Sequence, residues 1–424
     1  MVSRTEQSSA IRAACRKLAL AMISLVLAAL PGSGAASAGG SSADDFVKVS
    51  GTMFTVAGQP FFPVGVNNHY LTYGTKAEVT RVLDDAVALG ANVVRTFLQP
   101  VIGSLDGSVA TIWDWKSNAD SSDLGVKGTY LLYWDPAAGK MAINDGANGM
   151  EKVDFLIAEA KKRNLRLIIA FLDFWSYTGG AQQIRAWYGS ANKGTFFFSD
   201  QRTKRDYQTW VDHVLQRTNA TTGVRYKDDP TIMAWELMNE PNAEPKALLM
   251  SWTAEMSAFV KSEDTNHLVS SGHANVKSRI ADLAIPSIDF GTWHGYPLYY
   301  KLTVGQFDHL IGELCGLAAA RQKPVLLEEF GYARSNPDQA DAYRQWLTTL
   351  TRDRNCGGWL AWRLVARQEN GEYPIDAHDQ FDVRNDGGPL WNVLKTATAD
   401  AAATRGGRNL RAAGESSGIK GQAP

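Results

Sequence analysis

Cysteine is scarce in this chain of 424 residues, which has only Cys15, Cys315 and Cys356. So few cysteines exclude a small domain held together by a disulfide framework, and none has a neighbour at the spacing of a metal site. Charge of either sign is not in excess, since 43 Lys and Arg face 44 Asp and Glu. This balance leaves no electrostatic footprint for nucleic acid or for an anionic membrane.

Long hydrophobic runs are also missing. The longest, Leu18–Leu30, is too short to cross a bilayer as a helix, so a membrane anchor is the weaker interpretation. Basic residues precede this run, and Ala36-Ser37-Ala38 follows it with the small-residue pattern of a cleavage site. We therefore predict an export signal over residues 1–38, a linker over 39–45, and a secreted protein, extracellular or periplasmic, with no membrane attachment after cleavage. An oxidising compartment permits a Cys315–Cys356 disulfide, but buried free thiols are equally compatible with the sequence.

Several catalytic motifs are absent as well. No G-x-G-x-x-G follows the first predicted strand, and the chain contains no G-x-x-x-x-G-K-[ST], H-E-x-x-H, G-x-S-x-G or C-x-x-C. Dinucleotide, nucleotide and zinc-peptidase chemistry therefore lack support, as does a serine nucleophile elbow. We expect neither a cofactor nor a metal.

What the sequence does contain is a regular alternation of apolar strands and amphipathic helices, with 45% hydrophobic residues, ample for a large core. Parallel strands need helical crossovers, so eight such units predict a single α/β domain, a (β/α)₈ TIM barrel, over residues 46–400; the runner-up is an open doubly wound sheet. A small N-terminal β-hairpin is expected over Val47–Phe62, turning at Ala57-Gly58. Residues 401–424, rich in Ala, Gly, Ser and Arg, predict a disordered tail. The eight predicted strands are Pro63–Asn67, Asn92–Phe97, Leu165–Phe171, Ile232–Trp235, Leu268–Ser271, Asp289–Trp293, Pro324–Leu327 and Gly358–Trp362.

Two of these strands end in carboxylates. Trp235-Glu236-Leu237-Met238-Asn239-Glu240-Pro241 places Glu240 just before a proline that stops strand pairing, and Pro324-Val325-Leu326-Leu327-Glu328-Glu329-Phe330-Gly331 ends in two acids and a glycine. Two carboxylates at the ends of two nearby barrel strands fit glycoside hydrolysis, in which one donates a proton and the other attacks or stabilises the sugar carbon. A single such Glu would more simply be explained by ion pairing.

Strand geometry assigns these acids different surroundings. Side chains alternate along a strand, so one of Glu328 and Glu329 should face the barrel mouth and the other should face away. Glu236 should lie deeper than Glu240, paired with a buried base, for which Arg95 is the obvious candidate.

At this point the sequence resembles glycoside hydrolase family five, in its endo-β-1,4-mannanase-like branch, from about Phe46 to Ala397. The resemblance is carried by motifs along the whole domain: Gly65-Val66-Asn67-Asn68, Val94-Arg95-Thr96, Trp175 with Gly179-Gly180, Arg217–Gly223, Tyr226–Pro230 running into Asn239-Glu240-Pro241, His294-Gly295-Tyr296-Pro297, Glu328-Glu329-Phe330-Gly331 and Trp362.

The resemblance implies a role for each site residue. Glu240 matches the general acid/base, and Glu329 matches the nucleophile of a retaining mechanism. We expect burial among aromatic rings to raise the pKa of Glu240 so that it stays protonated. The substrate-binding side chains implied by the family pattern are Arg95, which would keep the nucleophile ionised, Asn239, which would bond the sugar 2-OH or the nucleophile, His294 and Tyr296, which would line the catalytic subsite, Trp362, which would lie under the sugar, and Trp175.

The resemblance also implies the substrate, a mannan-type polysaccharide or oligosaccharide cleaved at β-1,4-mannosidic bonds by a monomeric enzyme. Three departures from the branch bear on chain-length preference: Leu172-Asp173-Phe174-Trp175 replaces an Asn-Trp pattern, Asn242 stands where an Arg is frequent, and Tyr299 and Tyr300 replace a Trp. The alternatives are a β-1,4-glucanase, an exo-acting β-mannosidase with the same two glutamates, a non-catalytic carbohydrate-binding barrel, and a metal-dependent hydrolase.

Overall fold

A computed structural model describes residues 42–112, 128–374 and 379–406. The export signal predicted over residues 1–38 lies outside this part of the chain. Within the predicted linker, Ala43–Asp45 form a 3₁₀ turn capped by Ser42. Among the described residues, no helix combines the length and the apolar character needed to cross a membrane.

The described strands and helices alternate through most of the chain. The strands are β1 (Lys48–Ser50), β2 (Met53–Val56), β3 (Gln59–Phe61), β4 (Val64–Asn67), β5 (Val93–Phe97), β6 (Val101–Ser104), β7 (Leu132–Asp135), β8 (Lys140–Ile143), β9 (Arg166–Ala170), β10 (Ile232–Glu236), β11 (Leu268–Ser270), β12 (Gly291–Gly295), β13 (Val325–Phe330), β14 (Gly358–Ala361), β15 (Leu364–Val365) and β16 (Val383–Arg384). The helices are α1 (Lys76–Leu89), α2 (Met150–Lys162), α3 (Gly180–Trp187), α4 (Phe196–Ser199), α5 (Gln201–Gln216), α6 (Lys246–Glu263), α7 (Pro297–Tyr300), α8 (Val304–Ala319), α9 (Gln339–Arg352) and α10 (Pro389–Ala401).

Eight of these strands form one parallel sheet in the order β11-β10-β9-β5-β4-β14-β13-β12. The two outer strands, β11 and β12, are consecutive in the chain and meet at a seam, where the Asp289 backbone N–H donates to the Val269 carbonyl at 2.9 Å. The strands therefore follow one another around the sheet in chain order, and the sheet closes on itself, as in a barrel. The predicted (β/α)₈ TIM barrel is thus confirmed, and the open doubly wound sheet is excluded. All eight predicted strands are present, and each has its start and end within three residues of the prediction.

Local sequence signals explain where the helices start and stop. Helix α1 begins after Thr75, whose hydroxyl accepts a hydrogen bond from the Glu78 backbone N–H at 3.2 Å. The Glu78 side chain accepts in turn from the Thr75 backbone N–H, which completes a capping box. The helix ends at Gly90, which has φ +90°, a conformation that a side chain would disfavour. The same capping box recurs at Thr303, before α8.

The N-terminal hairpin prediction is wrong in strand number. Strands β1, β2 and β3 form a three-stranded antiparallel sheet, because a second turn at Gly51, with φ +59°, precedes the predicted turn at Ala57-Gly58. Phe54 and Val56 of this sheet pack against the lower interior of the barrel, in one apolar cluster with residues such as Ile168 and Leu326. The small sheet therefore closes the end of the barrel opposite the site.

The predicted tail from residue 401 also begins too early. Helix α10 continues to Ala401, and residues 402–406 add a π-helical turn. Its Arg405 donates to the carbonyl oxygens of Asp353 and Cys356, both at 2.7 Å, and its guanidinium lies 4.3 Å from the ring centre of Phe62. These contacts order the segment that composition alone suggested was disordered, and the rest of the predicted tail lies outside the described residues.

A disulfide joins Cys315 of α8 to Cys356, just before β14, which answers the question that the sequence left open. The bond closes a 41-residue separation, and both cysteines are buried. Restricting the unfolded chain in this way contributes about 4 kcal/mol in the loop-entropy model.

We expect Cys315→Ala together with Cys356→Ala to lower the unfolding temperature by roughly 5 °C, measured by calorimetry. An unchanged unfolding temperature would show that the bond does not stabilise the fold.

Candidate active site

The carboxyl ends of the barrel strands bring the predicted site residues together. Arg95 lies on β5, His294 on β12 and Glu329 on β13, while Asn239 and Glu240 follow β10 directly. Because the strands are parallel, these ends meet at one mouth. A close backbone approach beside them depends on Gly272, where a Cβ atom would lie only 2.0 Å from the Met238 carbonyl oxygen. That approach lets the Glu240 backbone N–H donate to the Gly272 carbonyl at 2.9 Å.

Arg95 is the centre of the buried part of the site. Its side chain is fully buried and donates to both oxygens of Glu236, at 2.5 and 3.0 Å, as the sequence predicted. The same guanidinium donates to Glu329 at 2.6 Å and to the Asn239 side-chain oxygen at 2.8 Å. Its planar fork therefore fixes the positions of three side chains from two strands at once.

The prediction that Glu328 and Glu329 face opposite sides is wrong. The register between β12 and β13 shifts by one residue, so that Trp293 pairs with Leu327 but His294 pairs with Glu329. This bulge places Glu328 as an extra residue and turns both acids toward Arg95, which lies 3.5 Å from Glu328 and 2.6 Å from Glu329. Strand alternation left open which of the two acids belongs to the site. The structure shows that Glu328 belongs to it as well as Glu329.

Glu240 and Glu329 form the part of the site above Arg95, with Glu240 partly exposed and Glu329 buried. One oxygen of each, together with a ring nitrogen of His294, lie within 4.8 Å of one another. The Tyr296 hydroxyl donates to Glu329 at 2.6 Å, as the family resemblance implied. Glu240 accepts from the Trp175 indole N–H at 2.8 Å. Two carboxyl groups from different strands therefore lie close together at the carboxyl ends of the barrel strands.

His294 connects the two carboxyl groups with the buried acids behind them. Its Nδ1 lies 2.8 Å from Glu240 and 3.6 Å from Glu329, and its Nε2 lies 3.3 Å from Glu328. Burial opposes its charge, but the Glu329 carboxylate and the bonds to Glu240 and Glu328 raise the pKa of His294 to about 10. The imidazole ring of His294 is therefore positively charged at neutral pH, and its two ring nitrogens share their protons with the acids on either side.

Burial decides the direction of the pKa shift for Glu329 but not for Glu240. Burial raises the pKa of Glu240, but bonds from His294 and Trp175 outweigh it, so the pKa is lowered and the prediction of a raised value is wrong. For Glu329, burial outweighs the opposing charges of His294 and Arg95, and its pKa is raised. Arg95 thus acts on Glu329 in the predicted direction without deciding the outcome.

The remaining predicted residues lie around this centre. Trp362 is half-buried, and its ring stacks on Phe97 at 6.1 Å, which in turn lies against the Arg95 guanidinium at 4.7 Å. Trp175 is 39% exposed, so its ring faces the mouth beside Glu240. All eight predicted site residues therefore belong to one constellation.

Sequence reasoning missed two contributors. Asn67, at the end of β4, accepts from Arg95 at 3.0 Å and donates to the Glu328 carbonyl at 2.8 Å. Asp173, three residues past β9, accepts from the Asn239 side chain at 2.9 Å. Their signal was present, since Asn67 belongs to the Gly-Val-Asn-Asn motif and Asp173 is part of a departure from the mannanase pattern.

Three comparisons place this geometry among known proteins. The family model described as glycoside hydrolase family 5 β-mannosidase-like matches residues 146–371, more than half of the chain. Mannan endo-1,4-β-mannosidase 1 of Oryza sativa subsp. japonica is 30% identical over 398 residues, covering 82% of this chain and 85% of that protein.

Solved structures agree in fold. The endo-1,4-β-mannanase of Rhizomucor miehei has a TM-score of 0.69 and 28% identity, covering 85% of this chain and 99% of that one. The endo-β-1,4-mannanase of Thermotoga petrophila has a TM-score of 0.67 and 27% identity, covering 83% and 78%. The barrel, the motifs and these matches together show that the chain belongs to glycoside hydrolase family 5, in its β-mannosidase-like group.

Proposed function

We propose that this protein hydrolyses β-1,4-mannosidic bonds in mannan-type polysaccharides with retention of anomeric configuration. The observation that carries the proposal is the separation of Glu240 and Glu329, whose nearest site oxygens lie within 4.8 Å. Retaining enzymes hold their two carboxyl groups roughly 5–5.5 Å apart, whereas inverting enzymes leave room for a water between them. The mannanase names of the relatives support mannan as the substrate.

In the first step, Glu329 attacks the anomeric carbon while the leaving oxygen takes a proton. Tyr296 and Arg95 each donate to Glu329 and hold it in place, at 2.6 Å in both cases. The proton comes from the pair formed by Glu240 and His294, since one proton moves across a 2.8 Å hydrogen bond to either partner. A lowered pKa of Glu240 in the free enzyme is therefore compatible with its role as the acid.

In the second step, a water molecule attacks the glycosyl-enzyme from the side of Glu240. Glu240 is now ionised and accepts the water's proton, and the bond between sugar and Glu329 breaks. Asn239, which precedes Glu240 in the chain and shares Arg95 with Glu329, would bond the sugar 2-OH. The site is thus restored with one proton on the Glu240–His294 pair.

The test is a product profile on mannohexaose, with anomers followed by NMR in the first minutes. We expect β-configured ends and internal cleavage; α-configured first products would refute retention. Release of single mannose units from one end would identify an exo-acting β-mannosidase, and higher activity on carboxymethylcellulose than on mannan would identify a glucanase.

Glu240, His294 and Glu329 are also residues able to ligate a cation. Loss of activity with a chelator would therefore favour the metal-dependent alternative.

Secretion is part of the same proposal. Polymeric mannan is too large to enter a cell, and the chain begins with the basic, apolar and small-residue pattern of an export signal. The disulfide between Cys315 and Cys356 fits an oxidising compartment.

Asn242 offers a prediction about the leaving-group side of the site. It is exposed, lies two residues past Glu240, and accepts from the Lys246 ammonium at 2.8 Å. We expect Asn242→Arg to place a guanidinium where it can bond an acceptor sugar and to raise the ratio of transfer to hydrolysis about threefold. The measurement is the oligosaccharide distribution from mannotetraose by mass spectrometry. Asn242→Met is the control for bulk, and equal product patterns for both variants would contradict a contact with substrate.

A further inference from the structure

Asp173 is a buried carboxyl group behind the site, with no role in the steps above. It is only 3% exposed and lies in the loop after β9. Its Oδ1 accepts from the Asn239 side-chain N–H at 2.9 Å and from the Trp175 backbone N–H at 3.3 Å. Asp173 therefore links the loop that carries Trp175 to the loop that carries Asn239 and Glu240.

This contact determines which way the Asn239 amide points. Its Oδ1 accepts from Arg95 at 2.8 Å, and Arg95 has only donors. Its Nδ2 donates to Asp173, whose Oδ1 acts as an acceptor whether or not the carboxyl group carries a proton on its other oxygen. If the amide were flipped, its N–H groups would face the donors of Arg95, and its oxygen would face the accepting oxygen of Asp173. The amide is thus held at both ends, and its second N–H remains for the sugar.

We propose that Asp173 is a positioning residue of the hydrolytic site, which fixes the Asn239 amide and, when ionised, helps the Glu240–His294 pair retain its proton. The proposal rests on the function proposed above. It deepens that function by assigning the alkaline limit of activity to a residue that does not touch the substrate.

The charge of Asp173 changes near neutral pH. Burial, together with the neighbouring charges of Glu240 and Glu329, raises the pKa of Asp173 to about 7, against the bonds from Asn239 and Trp175 that lower it. Tyr177 also faces Asp173, and Arg95 lies on the other side of the Asn239 amide. At pH values below its pKa, Asp173 is neutral and does not alter the ionisation of Glu329. At higher pH, its negative charge beside Glu240 opposes the loss of the proton from the Glu240–His294 pair.

The test compares Asp173→Ala and Asp173→Asn in the full chain, through the pH dependence of kcat/KM on mannohexaose. Asp173→Ala leaves the Asn239 N–H without its acceptor, and we expect about a tenfold loss or more. Asp173→Asn can still accept that bond, so it should recover most of the loss. Its alkaline limb should nevertheless move to lower pH by roughly half a unit or more, with the acid limb in place. Asp206→Asn is the matched control, because Asp206 accepts from the Tyr188 hydroxyl on the helical layer and also has a raised pKa.

Two results would overturn the proposal: an Asp173→Ala variant within twofold of the parent chain, or an Asp173→Asn variant with the parent alkaline limb. Should Asp173→Ala fail to fold by calorimetry, Asp173→Asn carries the test alone. If the parent chain cleaves another β-glycoside but not mannan, the proposed substrate is refuted, and the same comparison on that glycoside still decides the role of Asp173.

Discussion

Glu329→Ala is expected to lower kcat on mannohexaose by roughly 10⁴-fold or more, because it removes the carboxylate proposed to form the glycosyl-enzyme. Glu329 is held by Tyr296 and Arg95, both 2.6 Å away, and loses both contacts in the variant. Azide should enter the vacated space and attack a nitrophenyl β-mannoside from the face that Glu329 occupied. The product would be the α-mannosyl azide, with inverted configuration, identified by NMR.

Glu328→Ala is the matched control for this result. It removes the adjacent carboxylate of the same strand, which lies 3.5 Å from Arg95 and 3.3 Å from His294. We expect reduced activity without rescue by azide. A rescued Glu328→Ala variant, or a Glu329→Ala variant with parental activity, would reverse the assignment of the nucleophile.

Glu240→Ala should have the second largest effect, and its dependence on the substrate distinguishes it from Glu329→Ala. Without the acid, cleavage of mannohexaose should fall by roughly 10³-fold or more. Dinitrophenyl β-mannoside needs little help in leaving, so it should still form the glycosyl-enzyme and release a burst of dinitrophenol. Hydrolysis of that intermediate would then limit the rate. Azide should attack from the side that Glu240 occupied and give the β-mannosyl azide, with retained configuration.

The two variants therefore form a pair with opposite expected products. Exchange of the two azide configurations would mean that the roles of Glu240 and Glu329 are exchanged. Equal losses on mannohexaose and on dinitrophenyl β-mannoside would show that Glu240 does not act as a proton donor. Trp175→Phe, which removes only the 2.8 Å bond to Glu240, is the control for loss of a neighbour.

Much of the barrel was predictable because its signals are local. The strand Arg166–Ala170 consists, after its first residue, of the buried apolar run Leu167–Ala170, and the helix Lys76–Leu89 has its own cap and stop signals on either side. The three-stranded β6-β7-β8 sheet lies in the long connection after β5 and was not predicted. Its strands have only four residues each and stand among Gly, Asp and Trp, where neither periodicity can develop.

The sequence indicated most residues of the candidate site, though not Asn67 or Asp173, and it did not indicate the electrostatics. Glu240 and Glu329 are recognisable from a strand end and a flanking motif. The orientation of Glu328 depends on a one-residue bulge between β12 and β13, which alternation cannot reveal. The lowered pKa of Glu240 depends on a 2.8 Å bond to His294, a residue 54 positions away in the chain. Such distances follow from the packing of the whole barrel.

The contacts of Arg405 have a practical consequence. They hold the last described turn against Phe62, beside the small sheet that begins the described domain. Both ends of the described chain are therefore anchored at the pole of the barrel remote from Glu240 and Glu329. A tether to a bead or an electrode placed at Ser42 or Gly406, the two ends of the described range, should therefore leave the open mouth facing the surrounding liquid, so that a bulky polymer reaches it unhindered.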